Sequence, residues 1–92
     1  MAKLYTKINM FDLAQTVFLV KDEKVTKMTS VPTDELGTTF ASLVETQDVD
    51  EIELDGNTLY TQKIGQEILE NITRLYSNNK NVRININGKV FN

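Results

Sequence analysis

An α+β domain built on one mixed five-stranded sheet, in the order 3-2-1-4-5 with two helices on one face, is what this sequence predicts. Three observations predict it. Residues 3–11 and 82–87 alternate with the period of a strand. Two stretches, 34–45 and 58–76, carry apolar residues at helical spacing. The resulting order is strand–strand–strand–helix–strand–helix–strand, and 92 residues suffice for a single domain, 1–92, with one core.

The first strand, 3–11, puts Leu4, Thr6, Ile8 and Met10 on one side and Tyr5, Lys7, Asn9 and Phe11 on the other. Asp12 suits a turn. The second strand, 15–21, has four consecutive apolar residues, Val17-Phe18-Leu19-Val20, which predicts burial on both faces. Asp22-Glu23-Lys24 reads as a polar turn. Residues 25–29 then form a weaker, lysine-containing strand suited to a sheet edge.

Pro32 ends that strand, and Thr33 is expected to cap the first helix, with Asp34 and Glu35 near its positive end. Leu36, Phe40, Leu43 and Val44 make its apolar stripe. The fourth strand is placed at 48–54, with Ile52 and Leu54 facing one way and Glu51 and Glu53 the other. Asp55-Gly56-Asn57 is a turn signal, and Thr58 is the expected cap of a long helix striped by Tyr60, Ile64, Ile68, Ile72, Leu75 and Tyr76. The run 77–81 breaks that helix, 82–87 makes the fifth strand, and residues from Gly88 onward read as a loose tail.

Composition narrows the chemistry. The chain is 40% hydrophobic and 25% charged, as a globular protein is. It has no cysteine, which removes disulfides and thiolate metal sites, and no histidine, which removes the commonest general base and zinc ligand. Ten basic residues are scattered among thirteen acids for a net charge of −3, which disfavours nucleic acid as a partner. No apolar run approaches the ~20 residues of a membrane helix, and the start lacks the apolar core of a signal peptide. A soluble, cytoplasmic protein without a cofactor is expected.

Right-handed crossovers set the fourth strand beside and parallel to the first, with the fifth outside it, and put both helices on the same face. Over residues 3–87 this element order resembles the ribonuclease H-like core, whose members include nucleases, resolvases, transposases and actin-like kinases. The chain also resembles small bacteriophage-encoded proteins of unknown function, which would make its setting the host cytoplasm. A ferredoxin-like arrangement needs a helix after the first strand, and residues 12–30 supply none.

The ribonuclease H-like resemblance implies a carboxylate in the middle of the first strand and another near the end of the fourth, where hard divalent ions are held. The first position falls among Lys7, Ile8, Asn9 and Met10, with Asp12 the nearest acid; Asp55 occupies the second. No catalytic residue and no metal ligand is therefore assigned, and a divergent nuclease with Asp12 and Asp55 as ligands is the least favoured alternative. Glu51, Glu53 and Asp55 read as a solvated strand face. The run Asn78, Asn79, Asn81, Asn85 and Asn87 reads as a loop and the polar side of a strand.

Two binding readings remain. Asp55, Gly56, Asn57 and Thr58, with Thr61, open a helix at the carboxyl end of a parallel strand, where a nucleotide or other small anion would sit. Alternatively, Tyr5, Phe11, Phe18 and Val20 mark a sheet face that no helix covers, and a homodimer or protein partner would cover it. The tail Val90-Phe91 folding back is the modest variant. The leading expectation is a non-enzymatic interaction module, a phage protein binding a host component.

Overall fold

The computed structural model describes residues 2–76 and 81–91. The alternating opening segment becomes β1 (Ala2–Ile8), followed by β2 (Ala14–Lys21) and β3 (Lys24–Pro32). A single 3-10 turn (Thr33–Glu35) leads into α1 (Leu36–Thr46), then β4 (Glu51–Gly56), α2 (Thr58–Tyr76), β5 (Arg83–Ile86) and β6 (Lys89–Val90). Among the described residues the sheet has six strands and not five, in the order β3-β2-β1-β4-β5-β6. β1, β4 and β5 are mutually parallel, while β2, β3 and β6 join antiparallel. Among the described residues no helix is long and apolar enough to cross a membrane.

The pairing register explains the core. Leu19, Leu4, Ile52 and Ile84 stand in one row across four strands, and Thr6, Leu54 and Ile86 form the next. All seven are buried, and the six apolar ones share one cluster with Leu36, Phe40 and Val44 of α1 and Ile64, Ile68 and Ile72 of α2. The helices thus cover the face presented by the even residues of β1. Thr6 tolerates this place because its hydroxyl donates to the Thr16 carbonyl at 2.8 Å. The side chains of Leu75 and Tyr76 and the stretch 77–80, with Asn78 and Asn79, lie outside the description.

Several boundaries differ from expectation for local reasons. β1 stops at Ile8 because Asn9 folds the chain back: its Oδ1 accepts from Phe11 N–H (3.1 Å) and its carbonyl from Asp12 N–H (3.0 Å). β4 starts at Glu51 and runs through Gly56, because Asp48 adopts φ 52° to end the turn leaving α1. β2 is buried on one face only: Val17 and Leu19 are inside, Phe18 and Val20 half-exposed. The tail is not loose. Asn87 and Gly88, at φ 50° and 86°, make a two-residue turn that returns β6 along β5. Phe91 then donates its N–H to the Ile84 carbonyl at 2.8 Å and sits with Gly65 and Leu69 on the helix side of the sheet.

The β2–β3 turn carries strain of the same geometry without the residues that suit it. Asp22 and Glu23 have φ 51° and 65°, a left-handed pair favouring Asn-Gly. Glu23→Gly should raise the urea midpoint, with a gain of about 0.5–1 kcal/mol, since the relieved strain exceeds the added freedom of the unfolded chain.

Candidate functional site

With both helices on one side, the other face of the sheet is set by the odd residues of β1. The register strings Met28, Phe18, Tyr5, Glu53 and Asn85 into one row from β3 to β5. A second row runs Val25, Val20, Lys3, Glu51 and Arg83. The β3–β2 half of this open face is therefore apolar, and the β4–β5 half charged. Tyr5 and Phe18 meet at the boundary, ring centroids 6.1 Å apart. Met28 and Val25 are more than half exposed.

The three carboxylates of β4 are not simply solvated. Glu51, Glu53 and Asp55 are all half-buried. Lys3 Nζ donates to Glu53 Oε1 at 3.1 Å, and Tyr5 O–H donates to Asp55 Oδ2 at 3.2 Å. Burial pushes the Tyr5 phenol above its ordinary pKa, and the hydrogen bond and negative charge of Asp55, then the charge of Glu53, push the same way. Asp55 pairs in register with Lys7, and Glu53 with Tyr5. The β1 positions beside these carboxylates thus carry a cation and a phenol, and Asp12 lies beyond the strand in an exposed turn. Among the described residues no cluster of three or more Asp or Glu has the arrangement to hold a metal ion.

The segment 55–58 is bound up with its own chain. Asn57, not Thr58, caps α2: its Oδ1 accepts from Tyr60 N–H (3.2 Å) and its carbonyl from Thr61 N–H (2.8 Å). Gly56 N–H donates to Asn87 Oδ1 (2.9 Å), and Asn87 Nδ2 donates to the Gly56 carbonyl (3.1 Å). The Asn87 side chain thus acts as a further strand residue beside Gly56. Thr61 has no exposed surface, and its hydroxyl is sealed in without a hydrogen-bond partner. An incoming anion would find the amides of Gly56, Tyr60 and Thr61 already engaged and the Thr61 hydroxyl out of reach.

The β1–β2 turn is held by a buried network that no local sequence pattern announces. Gln15, only 4% exposed, accepts from Asn9 N–H (3.0 Å) and donates to the carbonyls of Asn9 (2.7 Å) and Asp12 (3.4 Å) and to Thr33 Oγ1 (3.0 Å). Thr33, expected to cap α1, is buried, and its hydroxyl donates to the Asp12 carbonyl at 2.7 Å. Among the described residues no side chain caps the 3-10 turn or α1. The network fixes a turn that holds Phe11 88% and Leu13 92% exposed. Gln15→Leu would leave the Asn9 amide and its neighbours unpaired, so a loss of about 2–3 kcal/mol is expected, together with faster amide exchange at Asn9.

Of the four residues marked for an interface, Phe11 and Phe18 line one groove at the carboxyl end of β1, and Tyr5 adjoins Phe18. Val20 lies on the same face toward its other end, beside Lys3 and Glu51. No protein-family model matches the chain, and neither curated proteins nor solved structures match it.

Proposed function

We propose that this chain is a non-enzymatic interaction module on a ribonuclease H-like scaffold, a phage protein that engages a host component in the host cytoplasm through the open face of its sheet. The observation that carries this reading is the apolar half of that face. Phe18, Val20, Val25 and Met28 are contiguous by register, flank Tyr5, and have no helix over them. Apolar surface of that kind on a small domain is covered by a partner or by a second copy. The charged half, with Lys3, Glu51, Glu53 and Arg83, supplies the polar rim that orients the contact.

Phe18→Ser tests it. The residue is half-exposed and outside the buried core, so the fold should lose no more than about 1 kcal/mol. Proteins retained from bacterial lysate by the wild type and released by this variant would support the reading. Identical retention by both would contradict it. Cleavage of branched or RNA–DNA hybrid substrates with magnesium or manganese, lost on Asp55→Asn, would instead favour a nuclease.

A further inference from the structure

We infer that the occupant of the β1 end of the open face is a second copy of this chain, docked by a two-fold exchange in which Phe11 of each copy enters the groove beside Phe11 of the other. The inference rests on the interaction-module reading and adds self-association at one end of the same face. Its ground is that knob, groove and both signs of charge occupy one surface. The groove, of about 730 Å³, is lined by Lys7, Met10, Phe11, Asp12, Phe18 and Asn57 among others. Phe11 projects from its rim, and the Gln15–Thr33 network fixes that rim, so little ordering remains for docking to impose.

A two-fold interface requires residue i of one copy to meet residue j of the other and the reverse, so the patch must complement itself. Lys7 and Asp12 satisfy that condition. They line the same groove, both are exposed, and among the described residues neither forms an ion pair. Across a two-fold axis Asp12 of one copy faces Lys7 of the other, twice per dimer. A lipid surface fits less well, because Asp12 is the sole charged residue in the stretch 8–20 that carries the knob, and anionic headgroups repel it.

Sedimentation velocity of the full chain from low to high micromolar concentration, with four variants, tests this. The wild type should associate to a dimer. Phe11→Ala should weaken association about tenfold or more without moving the thermal melt at dilutions where the wild type is monomeric, since the side chain is almost wholly exposed. Lys7→Asp and Asp12→Lys should each weaken it about tenfold, because each reversal acts at two symmetric sites. The double variant Lys7→Asp/Asp12→Lys should restore it. A dimer indifferent to Phe11→Ala and to the reversals, or a double variant that stays dissociated, would overturn the exchange. A wild type that stays monomeric throughout would overturn it too, while capture with Phe18→Ser would still decide whether the open face binds another protein.

Discussion

Phe40→Ala is expected to remove about 3–5 kcal/mol of stability, read as a fall in the urea midpoint at unchanged slope. Among the described residues Phe40 is the largest fully buried side chain, and it sits on the α1 face that closes over the sheet. Truncating it deletes buried apolar surface and leaves a cavity that a rigid sheet on one side and α2 on the other cannot readily fill. Domains of this size hold about 5–15 kcal/mol in total, so the variant stands near the edge of folding at 37 °C. The α1 sequence makes the effect larger: Gly37, Thr38 and Thr39 are poor helix formers and no side chain caps the helix, so its packing is what keeps it.

Gly56→Ala is the second large effect, about 3 kcal/mol or more, or a melting temperature lowered by at least about 12 °C. Gly56 has φ 146°, a conformation that residues with a Cβ rarely adopt. A Cβ there would also stand 2.4 Å from the Ile8 carbonyl oxygen and 3.0 Å from Thr61 Oγ1. The obstacle is backbone of the neighbouring strand, held in register by the β1–β4 ladder, and it cannot turn aside. Gly65→Ala is the control. Its Cβ would meet Ile86 Cδ1, also at 2.4 Å, but that atom is the end of a flexible side chain. Overpacking of about 1–2 kcal/mol is there offset by about 1 kcal/mol of gained helix propensity. A large loss at Gly56 and a small change at Gly65 are expected from equal nominal clashes.

These two glycines show what was legible in the sequence and what was not. Asp55-Gly56-Asn57 announces a turn in local terms, and a turn is there. What makes the glycine obligatory, the Ile8 carbonyl and the Asn87 clamp, lies 48 and 31 residues away in the chain. The cap lies one place before the expected Thr58 because Asn57 and Thr58 are both good caps, and only the Tyr60 amide distinguishes them. Thr33 preceded two acids in the pattern of a helix start, yet its hydroxyl is taken by Asp12, 21 residues earlier. Tertiary partners outbid local chemistry at both positions.

The candidate site divides the same way. The run Val17-Phe18-Leu19-Val20 could not by itself say which members face the core, since burial on both faces and burial on one produce the same composition. Register decides: Leu19 lies beside Leu4 in the core, and Phe18 beside Tyr5 on the open face. The sixth strand, by contrast, was signalled. Asn87-Gly88 after an alternating segment is a strong hairpin cue, and it accounts for both the return of β6 and the placement of Asn87 beside Gly56. Gln15 carried no cue at all, because a buried glutamine looks in sequence like any polar strand residue.

Hydroxyl-radical footprinting of the dilute protein tests most directly whether one side of the sheet is bare. Tyr5, Phe18 and Met28 should label readily while Phe40 stays inert, and the first three should become protected once a partner or a second copy is bound. Tyr5 and Phe18 as unreactive as Phe40 at every dilution would mean that the face is already covered within the chain, and the interaction surface argued from it would not exist.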